Sequence, residues 1–279
     1  MQKVQVYDGS INEIRAAPGT AGGGLAITST RQYISLIPGA NWCSLTARNF
    51  ASSAEVVEFA YNPFLTFVFT QDGLDTPSWD EALDLELQDG DTIDAKTLTF
   101  NTLANGDFLL IGSRGVRFGG FNVDLDTSVN NNASVMAVHY YRAGDWVALT
   151  VADGTDSGGA SMAVDGDVTW TMPVEALAWE PVSLNEIYSK SYKGLAFTEP
   201  MYWVRVSFSV ALDSIKFDQI RSINRNGTGG EIVSGQAVAG MMIEPMKPGG
   251  VGNISALTDT GTANLIVNVG VVNGTFPLD

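Results

Sequence analysis

The residues able to do chemistry are few, and their spacing works against most of the chemistry they might do. His139 is the only histidine and Cys43 the only cysteine in 279 residues, so these two types cannot supply a set of metal ligands. His139 stands in an extended-looking run beside Tyr140 and Tyr141 and reads as a packed or surface side chain rather than a general base. Cys43 has no partner for an internal disulfide and reads as a small buried side chain. Asp165 and Asp167 in "VDGDV" have the look of paired carboxylates, yet Asp-Gly-Asp between two strands is ordinary hairpin chemistry. "GTAGGG" is glycine-rich but lacks the following Lys and Ser/Thr that grip phosphate and magnesium. The expectation is a non-enzymatic protein with no cofactor and no metal.

Charge narrows the partners. The chain carries 31 acids against 15 bases, a formal net charge of −16, which would repel a nucleic-acid backbone. The imbalance is concentrated in "DGLDTPSWDEALDLELQDGDTID", residues 72–94, with nine acids and no Lys or Arg. That stretch reads as a solvated acidic face; its spacing does not match a calcium loop, in which oxygens alternate and a Glu closes the ring. Carboxylates at Asp89 and Asp91, or Asp153 and Asp156, would be the place to look for a weak calcium site. No run approaches the length of a membrane span, and "MQKVQVYDGS" has no apolar signal core, so a soluble chain outside the membrane and not exported by a cleaved signal is expected.

The elements that must position these residues are strands. In "MYWVRVSFSVALDS", Tyr202, Val204, Val206, Phe208 and Val210 fall on one side of an extended chain, with Trp203, Arg205, Ser207 and Ser209 on the other. The first side reads as core and the second as facing water or a partner. Similar short apolar runs include "YISLI", "EVVEFAY", "LTFVFT", "DFLLIG", "FNVDL", "SVMAVHYY", "DWVALTV" and "DVTWTM", separated by turn signals such as "NGD", "AGD" and "DGTDSGG". Only "SWDEALDLE" and "EALAWEPVSLNEIYSKS" invite a helix, and Pro181 interrupts the second. With 45% hydrophobic and 16% charged residues, the chain belongs among folded proteins. An all-β protein follows, with β-sandwich or jelly-roll-like domains and extended terminal segments. Four regions are expected: residues 1–24 as an arm or linker, 25–120 as a first β domain, 121–222 as a β-sandwich, and 223–279 as a glycine-rich C-terminal β segment.

Within this pattern, "ASVMAVHYYRAGDWVALTVADGTDSGGASMAVDGDVTWTMP", then Trp179, then "YWVRVSFSVALDS", resembles a β-sandwich module of virion structural proteins in tailed bacteriophages. "GDFLLIGSRGVRFGGFNVDLDT" fits the lead-in to such a module, so the resemblance covers roughly residues 105–222. It implies a particle component of head or tail, assembled in the host cytoplasm. A decoration or cement protein on the head exterior, contacting the major capsid protein, is the first expectation, because a strongly acidic subunit suits the outside of a shell better than the packaged nucleic acid. A tail or neck protein is the alternative.

Two sets of contact residues are expected. Trp179 and Trp203 are candidates for stacking on a carbohydrate or partner, the function of a rival class of β-sandwich modules. The tail holds eleven glycines and six charged residues, yet includes "NLIVNVGVV", which places Leu265, Val267, Val269 and Val271 on one face of a strand. An uncharged, β-branched strand of this kind is a template for association when left open. It can pair within its own subunit or add to a neighbour's sheet; the second choice predicts a homo-oligomer, with a trimer at a shell's local threefold positions as the form that symmetry favours.

Overall fold

The computed structural model describes residues 11–16, 24–35, 42–52, 56–63, 65–70, 96–100, 107–114, 117–173, 179–189, 191, 194–223, 234–237, 242–246 and 251–272. The acidic stretch 72–94, including "SWDEALDLE" and both Asp89 and Asp91, lies outside them. Among the described residues the chain is all-β, with antiparallel sheets and little helix. It divides into two compact units, Met1–Tyr61 with Val233–Asp279, and Asn62–Ile232.

The discontinuous unit contains β1 (Ile11–Ala16), β2 (Leu25–Ile27), β3 (Gln32–Ser35), β4 (Trp42–Arg48) and most of β5 (Val57–Pro63). The chain then builds the other unit from β6 (Leu65–Thr70), β7 (Lys96–Leu98), β8 (Phe108–Ser113), β9 (Gly120–Leu125), β10 (Met136–Arg142), β11 (Asp145–Ala148), β12 (Val151–Asp153), β13 (Gly166–Trp170), helices α1 (Leu184–Tyr188) and α2 (Leu195–Thr198), β14 (Tyr202–Phe208) and β15 (Ile215–Ile223). It returns to the first unit as β16 (Ser234–Ala237), β17 (Met242–Met246), β18 (Val251–Thr258) and β19 (Ala263–Val272).

In the discontinuous unit one sheet runs β1-β19-β4-β17, with β2 also on β19, and the other runs β16-β5-β18-β3. Ile34, Leu45, Val57, Phe59, Ile254, Leu265 and Val267 form its core. These come from strands before and after the inserted unit, so neither half of the sequence holds this core alone.

The inserted unit is a β-sandwich of two sheets, β11-β10-β14-β8-β6 and β12-β13-β9-β15-β7. Their facing sides meet in one core, with Phe67, Ile111, Val138, Val204, Val206 and Phe208 on the first and Phe121, Val123, Val168, Phe217 and Ile220 on the second. Where the chain enters and leaves, the buried Ser222 hydroxyl donates to the Pro63 carbonyl, fixing the two ends side by side. The expected boundary at 120, and the expectation of a separate C-terminal segment after 222, are thereby corrected. β6 and β8 belong to the same sheet as β10 and β14, and the tail strands complete the other unit rather than form a segment of their own. Alternation marks a strand but not its partner, and these partners are far apart in sequence.

The outer face of the β14 sheet is also covered. Trp203, Val68, Phe108 and Leu110 pack with Leu184, Phe197 and Met201 from the long connection before β14. Ser183 caps α1: its hydroxyl accepts from Glu186 N at 3.2 Å, and the Glu186 carboxylate accepts from Ser183 N at 3.4 Å. This reciprocal arrangement satisfies two donors that a helix start leaves free. Val182 pins the connection through paired backbone bonds to Met201, and its carbonyl also accepts from Trp203 Nε1 at 2.9 Å. Trp203 in turn lies across Gly112, its cross-strand neighbour. A Cβ at Gly112 would come within 2.6 to 2.8 Å of three Trp203 ring carbons. Gly112→Ala is therefore expected to destabilise the unit by about 1–3 kcal/mol through overpacking. The same change in a Trp203→Ala background is expected to cost far less, and denaturant unfolding of the four proteins measures that non-additivity.

Candidate functional site

Three residues with buried polar atoms that lack a partner, His139, Arg205 and Ser207, lie side by side on β10 and β14, beside the helical cover. A two-residue turn, Ala143 and Gly144 with φ of 48° and 95°, joins β10 to β11. Its positive φ angles match the twist of the strands it connects. The turn sets Tyr141 opposite Trp146 and His139 opposite Ala148. Asp145 steadies the start of β11 by accepting from Trp146 N at 2.7 Å. On the other edge of β10, His139 faces Arg205 and Ala137 faces Ser207.

The Arg205 guanidinium lies over two rings, 5.2 Å from the Phe108 centroid and 5.0 Å from that of Trp146. Aromatic faces attract a cation, more strongly as water is excluded. Trp146 meets Tyr141 edge to face at 5.3 Å. His139, Tyr141, Trp146 and Arg205 are all part-exposed, whereas Ser207 is fully buried. Three polar atoms in this patch, Arg205 Nε, His139 Nδ1 and Ser207 Oγ, are buried without a hydrogen-bond partner. Burial and the nearby positive charge of Arg205 both hold the His139 imidazole below its ordinary pKa of 6.5. Burial likewise lowers the Arg205 pKa, against smaller opposing effects from Tyr188 and Asp145. Burial pushes the Tyr188 hydroxyl above the usual tyrosine range.

The sign of the His139 shift gives a pH dependence. The unfolded chain takes up the proton at a higher pH than the folded one, so folding stability falls as pH drops through about 6.5 toward the lower folded value. His139→Gln should remove that contribution. Comparing melts of parent and variant at about pH 7.5 and about pH 5.5 tests it; equal pH slopes would show that His139 does not contribute.

The other candidate residues sit elsewhere. Trp179 is 1% exposed and packs in the sandwich core against Phe118, Tyr140 and Tyr202, with centroids 5.6, 5.7 and 6.0 Å away. Trp203 is fully buried under the helical cover. Neither ring offers a face to a sugar or partner, and the expectation for both is corrected. A large ring in a connection or on an outward strand position is drawn inside when apolar cover is present, because burying it stabilises more than leaving it in water. Trp170 is also core, donating from Nε1 to the Phe118 carbonyl at 3.1 Å.

The proposed intersubunit strand is corrected as well. Leu265, Val267, Val269 and Val271 lie on β19, which pairs with β4 along one edge and with β2 and β1 along the other. Leu265 and Val267 are fully buried in their own unit's core. A strand paired on both edges within its own chain has no ladder left for a neighbour.

The carboxylates have structural partners. Asp167 accepts from the Asn122 amide at 2.8 Å and Asp165 from Leu125 N at 2.8 Å. Asp153 Oδ1 accepts from the Thr155 amide and hydroxyl at 2.9 and 2.6 Å, and Asp156 from Gly159 N at 3.3 Å, the side-chain bonds of tight turns. Among the described residues no three His, Cys, Asp or Glu are grouped so as to hold a metal ion, and no helix there is long and apolar enough to cross a membrane. The second sheet's outer face is polar: Arg221 binds Asn122 and Asp124, each at 2.9 Å, and Lys216 binds Asp126. The Lys216 bond holds the Asp126 carboxyl below its ordinary pKa.

The Arg205 patch was only partly visible in sequence. Alternation puts Arg205 on the face opposite the core, but its ring partners come from β8 and β11, and no local pattern announces them. No protein-family model, curated protein or solved structure matches this chain.

Proposed function

We propose that the chain is a non-enzymatic structural subunit of a bacteriophage particle, set on the outside of the head as a decoration or cement protein. The observation that carries the reading is the inserted sandwich. Residues 105–222, whose sequence resembles a phage virion module, fall wholly within the unit Asn62–Ile232. That unit has two closely packed sheets, and its last strand is fastened by the Ser222–Pro63 bond to the chain just before its first. An inserted module whose chain ends are held together is suited to being carried by a second β unit that does the anchoring. The partners in this reading are the major capsid protein and further copies of the chain, without nucleic acid or membrane, in keeping with the net charge of −16.

The test is a reconstruction of particles made with and without the gene for this chain. Density for two all-β units on the shell exterior, lost with the gene, is the expected result. Density on tail or neck would retain the structural role and replace the position. Absence of the chain from purified particles would overturn the proposal.

A further inference from the structure

A half-buried arginine ordinarily has a carboxylate beside it, because a charge taken out of water without a counter-ion is costly. Among the described residues Arg205 has none: its neighbours are the faces of Phe108 and Trp146, and the acid that bears on it electrostatically, Asp145, has its Oδ1 bonded to Trp146 N. The surrounding row is unsatisfied too, since Arg205 Nε, His139 Nδ1 and Ser207 Oγ lack partners. Each buried polar atom left in that state costs about 1–3 kcal/mol. A fold seeking only stability would fill these positions with apolar side chains, as it does at the neighbouring Leu110 and Trp203.

We propose that the row on the outer face of β14 is a binding site for a small carboxylate-bearing molecule. The carboxylate is taken by part-exposed Arg205, and the part-exposed Trp146–Tyr141 pair bears on the group that carries it. Arginine suits this role because its planar fork matches two carboxylate oxygens, and the flanking rings hold that plane in place. Phe108 and Trp146 supply dispersion and a hydrophobic surround but no competing negative charge. The inference goes beyond the particle role and does not depend on it.

The single histidine makes the test direct, because one imidazole resonance reports on the row without assignment of the rest. The full chain would be titrated with acetate, with glucuronate and with the neutral isostere acetamide, following the His139 ring proton by NMR. A saturable shift with the two acids and none with acetamide is expected, together with a rise in the His139 pKa as a negative charge arrives nearby. Tighter binding of glucuronate than acetate would identify the carrier as a sugar acid, and equal binding a simple organic acid. Arg205→Met should abolish the response. Arg205→Lys, which keeps the charge and guards against a misfolded Met variant, should weaken it about tenfold by losing the fork. No saturable shift, an equal response to acetamide, or undiminished binding by folded Arg205→Lys would overturn the proposal.

Discussion

A chain ended after Asn224 is expected to lose the discontinuous unit outright while keeping the sandwich. The cut removes β16, β17, β18 and β19, which supply strands to both sheets of that unit and Ile254, Ala256, Leu265 and Val267 to its core. β1, β2 and β4 lose β19, and β3 loses β18. What remains is a set of strands without a second apolar face, which lacks the burial needed to offset chain entropy. The sandwich keeps every described strand, from β6 through β15. Limited proteolysis with mass spectrometry should show rapid cleavage before residue 62 and a protected fragment running from there to the new end. Protection of residues 11–61 in the shortened chain would mean that the early strands close a core by themselves.

Trp203→Ala and Phe208→Ala are each expected to destabilise the sandwich by about 3–5 kcal/mol, although the two side chains leave β14 in opposite directions. Phe208 is 1% exposed, in the core between the sheets, with its ring 5.0 Å from that of Phe100 at a steep angle. Trp203 is fully buried in the separate core under α1 and α2, where its removal also frees the Val182 carbonyl. Trp203→Phe should recover most of that loss and fall short by about 1 kcal/mol, the worth of the indole hydrogen bond. Ser207→Ala should not destabilise and is expected to stabilise by up to about 1–3 kcal/mol, because its buried hydroxyl has no bond to lose and its desolvation penalty is relieved. Chemical denaturation of the four variants measures all of this. A mild Trp203→Ala beside a severe Phe208→Ala would show that the helical cover contributes little.

The same strand shows how far sequence reasoning reached. Val204, Val206 and Phe208 take the core positions their alternation predicts, while Val210, beyond the strand's end, is 45% exposed. The opposite face was expected to meet water or a partner; at Trp203 it is buried because Leu184, Phe197 and Met201 fold back over it, while Arg205 stays part-exposed. Period-two alternation reports one apolar side; it cannot report that a helical connection will cover the other. Most strands before β14 were legible, including β5, β6, β8, β9, β10 and β13. β15 was missed: it keeps a regular apolar face at Ile215 and Phe217, but its register shifts between Phe217 and Gln219 and breaks the alternation. Alternation placed Arg205 on the outward face, whereas its two ring neighbours depend on pairing between distant strands. The tail's apolar run was recognised as a strand that something must cover, and the cover proved to be β1, β2 and β4 of its own chain.

The insertion also sets a schedule for synthesis. Roughly 170 residues separate the early strands of the discontinuous unit from the late ones that complete it. At about 5–20 residues per second, the ribosome needs roughly ten to thirty seconds to cross that interval. For most of it β2, β3, β4 and β5 are outside the exit tunnel without the late strands that cover them, while the sandwich is free to fold ahead of them. The yield of finished chain is therefore governed by how well those strands are shielded during the wait, so slower elongation or higher nascent-chain density should favour aggregation of the first sixty residues over any failure of the sandwich.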